Sequence, residues 1–209
     1  MIAAIILAAG KSERMGTPKA LLALRGSTFL EAGVVACEAA GLNRRVIVLS
    51  PDIDKLPDNI DLHGSTVVRN RQPASGPIGS IRLGIEAVVN HPVEAVLVWH
   101  VDRPHVSLTT LAAVIDRFRD GGVSIVVPEF RGQRGHPVLF GRAVFEELRQ
   151  APDDQGARSV VRADPSRVAF VAVDDPAILE DINTPEDYKA LLGRIEEGGA
   201  TLRRPDPES

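Results

Sequence analysis

The residues of this chain best suited to chemistry lie at 5–19, Ile-Ile-Leu-Ala-Ala-Gly-Lys-Ser-Glu-Arg-Met-Gly-Thr-Pro-Lys. An apolar run enters a glycine-bearing loop that carries Lys11, Arg14 and Lys19 against one acid, Glu13. The whole protein is acidic, with a formal charge of −4, so cations gathered in one loop call for a partner. An anion is the simplest partner, and a polyphosphate suits such a loop best. Gly10 and Gly16 let backbone N–H groups approach phosphate oxygens, and Arg14 offers a bidentate clamp. The alternative is a glycine turn decorated with solvated charges, since a short glycine loop alone is weak evidence. Gly10, Arg14, Gly16 and Lys19 together, directly after an apolar strand, favour the anion. The spacing fits neither a Walker A loop nor a dinucleotide-binding Gly-x-Gly-x-x-Gly.

Three other stretches carry candidate groups. Asp102, in Leu97-Val-Trp-His-Val-Asp-Arg-Pro104, follows an apolar strand and precedes a proline-stiffened turn, a good place to hold Mg²⁺. Alone, it serves equally well as a turn cap; beside the cationic loop, the metal reading prevails. Arg103 either grips a phosphate of a second substrate or is a surface arginine, and His100 either faces the site or packs under Trp99. Asp181-Ile-Asn-Thr-Pro-Glu-Asp187 reads first as a helix start, with Asp181 and Asn183 just ahead of it pointing in alternate directions. Between Asn70 and Gly84, the residues Gly76, Pro77, Gly79, Ser80 and Gly84 suit close approach of a flat base, or else form only a loop-to-helix junction.

These groups need a scaffold, and the hydrophobic pattern supplies one. Strand-like runs at 2–8, 45–50, 65–69, 95–99, 124–127 and 167–173 alternate with helical patterns along most of the chain. This is the signature of an α/β sheet with helices on both faces. Thr28 and Glu31 form a capping box opening a helix to about Ala40, with Leu30, Gly33, Val34 and Cys37 on one face. Helices are also predicted over 78–90, from Ser107 to about Gly121, over 142–150 and 156–163, and after the Thr184 cap. Pro137-Val-Leu-Phe140 suggests an excursion with an antiparallel strand. In open α/β sheets ligands sit at the carboxyl ends of the strands, where all four candidate stretches fall.

With 209 residues and 44% apolar content, the chain suits one globular domain, expected over 1–192, with a loose tail over 193–209. No apolar run approaches the ~18 residues of a membrane span. The single cysteine, Cys37, reads as a packing residue and agrees with a reducing, cytoplasmic setting. A pI near 5.8 argues against a broad nucleic-acid surface.

The first loop resembles the Leu-Ala-Ala-Gly-x-Ser-x-Arg-Met-Gly-x-x-Lys signature of nucleotidyltransferases with a glycosyltransferase-A-like fold, the family of the MobA-like NTP transferase domain. Leu7, Ala8, Ala9, Gly10, Ser12, Arg14, Met15, Gly16 and Lys19 match it. The resemblance covers residues 2–192 in order and implies a three-layer, Rossmann-like fold with a mostly parallel mixed sheet. It further implies that the loop, Lys11 included, embraces a triphosphate and that Lys19 stabilises the developing negative charge. By the same resemblance, Asp102 would hold Mg²⁺ with Asp181 and Asn183, one of them binding directly. Asn70, Gly76, Pro77, Gly79 and Ser80 would lie against base and ribose. Gly76-Pro77 is similar to guanine-using members, whereas Ser80-x-x-x-Gly84 is similar to cytidine-using ones. The family usually has a small or acidic-flanked Asp-x-Pro where this chain has His100 and Arg103.

Gly135-His-Pro-Val-Leu-Phe140 and Asp153-Asp-Gln-Gly-Ala-Arg158 resemble segments of molybdenum cofactor cytidylyltransferases. They could equally be a turn before a strand and a helix start. As a ligand region, His136 and Arg158, with Arg103, offer cationic or donor groups to a pterin phosphate. The implied function is Mg²⁺-dependent transfer of a nucleoside monophosphate from CTP or GTP to molybdopterin, releasing pyrophosphate, with a recipient molybdoenzyme as a further partner. The alternatives are the same chemistry on a sugar or alcohol phosphate, or a non-catalytic nucleotide-binding or cofactor-delivery protein.

Overall fold

A computed structural model describes residues 1–51, 53 and 56–197. Strand β1 (Ile2–Ala8) is wholly buried, because its side chains alternate between two apolar faces rather than between core and water. Ala4, Ile6 and Ala8 join one core with Trp99 and Leu111, while Ala3, Ile5 and Leu7 join another with Ile78 and Ile85. This two-sided burial makes the sheet the middle of three layers.

A two-stranded hairpin, β2 (Ala23–Leu24) and β3 (Ser27–Thr28), leads into α1 (Phe29–Ala39). Both halves of the capping box at Thr28 and Glu31 are present. Strands β4 (Arg44–Leu49) and β5 (Thr66–Arg69) continue the parallel sheet on one side of β1, and the chain then crosses through α2 (Gly76–Val88) to β6 (Ala95–His100) on the other. The chain therefore switches sides at β1, where ligand crevices open in such sheets. Helix α3 (Leu108–Arg119) is capped by Ser107, which accepts from the Thr110 N–H.

The remaining strands are β7 (Ile125–Phe130), β8 (Gln133–Arg134), β9 (Val138–Gly141) and β10 (Val168–Ala172); the helices are α4 (Phe145–Gln150), α5 (Ala157–Ala163) and α6 (Pro185–Glu197). The sheet order is β10-β7-β9-β6-β1-β4-β5, with β8 paired to β7. Strand β9 is no excursion. It inserts antiparallel between β6 and β7 and fills the middle of the sheet, a placement its four buried residues require. Residues 193–197, expected in a tail, continue α6; the rest of that tail, 198–209, lies outside the described residues.

Cys37 lies on the buried face of α1, and burial pushes its thiol up to about 12, which suits a packing residue. Gly84 is also a packing residue rather than a base-facing one. A Cβ there would lie 2.5 Å from the Ile5 side chain, so glycine lets α2 settle on β1. Gly84→Ala is expected to cost about 1–3 kcal/mol through overpacking. A lowered urea midpoint with an unchanged slope would register this loss, and an unchanged midpoint would refute it.

Candidate active site

Most of the candidate groups converge on a cleft of about 520 Å³ at the carboxyl ends of β1 and β6. One wall is the loop after β1, where Ser12 organises the turn. Its carbonyl accepts from the N–H groups of Met15 (3.0 Å) and Gly16 (3.1 Å), and its Oγ accepts from the Lys19 N–H at 3.1 Å. The Lys19 side chain is thereby aimed across the cleft. Its Nζ lies 3.0 Å from Asp102 Oδ2 and 2.7 Å from Asn183 Oδ1. A residue of the first loop thus meets residues 83 and 164 positions away in sequence.

Arg14 is exposed and lines this cleft, as do Lys11 and Glu13, which pair with each other at 3.5 Å. Gly16 shapes the turn without lining the cleft. Gly10 lines the cleft, and no protein atom lies within 4 Å of a Cβ built there. Nothing in the fold itself fills that space, which leaves it free for a ligand.

At the far end, Asn70 and Ser80 are buried and joined, Asn70 Nδ2 donating to Ser80 Oγ at 3.0 Å. Asn70 Oδ1 accepts from the Gln72 N–H at 2.8 Å. Ser80 therefore does not face water. Gly76 and Pro77 line the cleft with them, but Gly79 packs inward, where a Cβ would run into Ser75 Oγ at 2.0 Å. Ile53 also lines this end, and no motif around it marks it in the sequence.

Asp102 and Asn183 have the donor set a divalent cation would use. Asp102 Oδ1 is buried with no hydrogen-bond partner, and both residues already hold the ammonium of Lys19 between their oxygens. Mg²⁺ takes a few protein oxygens and shares the phosphates of its substrate. Among the described residues no group of three or more His, Cys, Asp or Glu could hold a metal, so water and substrate oxygens would complete the shell. Asp181 does not join Asp102 and Asn183: its Oδ1 is bound by Arg103 Nη2 at 2.7 Å. The carboxylate of Asp187, expected only to start α6, accepts from the N–H groups of Asn183 (3.0 Å) and Thr184 (2.9 Å). Those bonds hold it below the usual carboxylate range and orient Asn183.

Neither reading of Arg103 holds. It is buried, and its guanidinium is spent on the Ile178 carbonyl and Asp181, so it is neither a free phosphate clamp nor a surface residue. Strand alternation turns Trp99 under α1 and His100 into the cleft. His136 packs against His100 with ring centroids 4.3 Å apart and the ring planes tilted by 59°. Burial above all, and then His100, Arg103 and Arg158, push the His136 pKa well down, so its ring is a neutral hydrogen-bonding group rather than a cation. Arg158 is exposed on α5, where it lines a separate hollow with Asp154, Gln155 and Arg162.

A mostly parallel α/β sheet whose switch point holds a cationic loop against a carboxylate and an amide oxygen is the framework of a nucleotidyltransferase. The chain belongs to the family of the MobA-like NTP transferase domain, whose model matches residues 4–168. It is 30% identical over 198 residues to the nicotine blue oxidoreductase of Paenarthrobacter nicotinovorans, covering 91% of this chain and 96% of that one. It is 24% identical over 194 residues to the molybdenum cofactor cytidylyltransferase of Escherichia coli, covering 92% and 96%. Among solved structures, Rv0371c from Mycobacterium tuberculosis superposes with a TM-score of 0.79 at 32% identity, over 92% of this chain and 97% of that one. The manganese complex of Rv0371c gives 0.71 at 29% identity, over 92% and 98%. Among the described residues no helix is long and apolar enough to cross a membrane.

Proposed function

We propose that this protein transfers a nucleoside monophosphate from CTP or GTP to the phosphate of molybdopterin and releases pyrophosphate. The observation that carries the reading is the meeting of Lys19 with Asp102 and Asn183 across a cleft walled by the loop after β1. The triphosphate lies along that loop, its oxygens met by backbone N–H groups, Arg14 and Lys19, with open space at Gly10. Its base lies toward Asn70, Gly76, Pro77 and Ser80. An oxygen of the acceptor phosphate attacks the α-phosphorus in line. The bond to the bridging oxygen breaks, and pyrophosphate leaves with its charge met by Arg14 and Lys19. No covalent nucleophile is needed, because positioning and charge neutralisation dominate phosphoryl-type transfers. Mg²⁺ held by Asp102 and Asn183 would neutralise phosphate charge there, and the manganese-bound neighbour supports a divalent cation in this fold. His100 and His136 offer neutral donors and acceptors to the acceptor, and Arg158 offers a charge farther out.

The test incubates the protein with Mg²⁺, molybdopterin and each of the four nucleoside triphosphates, and follows pyrophosphate. Release with CTP or GTP that depends on the pterin is the expected result. Release only with a sugar or alcohol phosphate reassigns the acceptor, and tight nucleotide binding without release makes the protein a binding module. Redox conversion of nicotine blue without any pyrophosphate would move the chain to the activity in its relative's name.

A further inference from the structure

Arg103 directly follows Asp102, yet its side chain is turned away from the cleft and buried, 8% exposed. Nη1 donates to the Ile178 carbonyl and Nη2 pairs with Asp181 Oδ1 at 2.7 Å, while Nε has no partner. Beside them the Ile182 N–H donates to the Asp102 carbonyl at 2.9 Å. These contacts stitch the end of β6 to the segment that runs straight into Asn183, and Asp187 holds the Asn183 N–H from the other side. The Ile178 carbonyl is a junction: it also accepts from the His136 N–H at 3.0 Å, and a Cβ on Gly135 would lie 2.3 Å from it. A buried guanidinium is an inefficient way to gain stability, because desolvation offsets most of the attraction. Its worth here is geometric.

We propose that Arg103, with Asp181 as its counter-ion, is a positioning residue that sets Asn183 Oδ1 beside Asp102, and that Asp181 acts through Arg103 and not as a cation ligand. The inference rests on the reading of Asp102 and Asn183 as the cation site. Outer-shell partners of this kind typically change metal affinity ~10–100-fold when removed.

The experiment titrates Mn²⁺ into the protein with excess α,β-methylene-CTP or α,β-methylene-GTP, reading free Mn²⁺ by electron paramagnetic resonance. R103A and D181N should each weaken Mn²⁺ about tenfold, and the double variant should be no weaker than R103A alone. Wild-type affinity in R103A overturns the proposal. So does a further loss when D181N is added to R103A, because Asp181 would then contact the cation itself. Should R103A fail to fold by circular dichroism, R103M keeps the apolar stem and takes its place in the same cycle; Asp181 is half-exposed, so D181N tests a folded chain. A wild-type chain that binds no Mn²⁺ with either analogue overturns the underlying cation-site reading, an outcome distinct from unchanged variants.

Discussion

Lys19→Ala is expected to slow pyrophosphate release by about a hundred- to a thousandfold while the chain stays folded. The ammonium is the only group of the first loop that reaches both Asp102 and Asn183 among the described residues, at 3.0 and 2.7 Å. Without a ligand it neutralises Asp102. With a triphosphate along the loop, the same charge faces the oxygens on which negative charge grows as pyrophosphate departs. An interaction that strengthens in the transition state shows in kcat more than in KM, so nucleotide KM should change far less than the rate. Mn²⁺ binding should not weaken, since removing the ammonium frees oxygens of Asp102 and Asn183. Steady-state kinetics on the variant decide the matter, and a wild-type kcat would overturn the role given to Lys19.

Asp102→Asn should cost about a thousandfold in rate, which is ~4 kcal/mol at 1.36 kcal/mol per tenfold. The substitution keeps the shape and removes the charge. One carboxylate oxygen holds Lys19, and the other is buried without a partner, an arrangement that ordinarily raises energy unless a ligand completes it. Asparagine supplies a single neutral oxygen and leaves the Lys19 ammonium without its counter-ion. Loss of Mn²⁺ binding together with loss of turnover is the expected pair of results. Turnover that falls while Mn²⁺ affinity stays at the wild-type value would assign Asp102 to holding Lys19 alone.

Much of the scaffold is legible in the sequence because its signals are local. The β1 run, the Thr28–Glu31 capping box, the Ser107 cap and the Thr184-Pro185 start each depend on residues within one or two turns, and each appears where the pattern places it. Element ends shift by a residue or two because caps and last turns depend on tertiary contacts. The short β2–β3 hairpin carries too few residues to show a period. Strand β9 is legible as an antiparallel strand but not as the member between β6 and β7, since register and neighbour are long-range choices. Gly84 and Gly79 look like base-facing glycines in the chain, and only packing shows that they accommodate Ile5 and Ser75.

By itself the sequence determined the alternation of strands and helices, the cationic loop after the first strand, and the presence of an acid after β6 and of Asp181 and Asn183 before α6. Composition and periodicity encode such features because each is a run of neighbouring residues. Only the tertiary structure decided which side chains share the cleft. It sent Asn183 to Lys19 and Asp181 to Arg103, buried Arg103, and packed His136 against His100 as a neutral ring. The physical reason is that partnership and burial are properties of the packed chain: a carboxylate's ligand, a guanidinium's exposure and an imidazole's charge depend on segments scores of residues away.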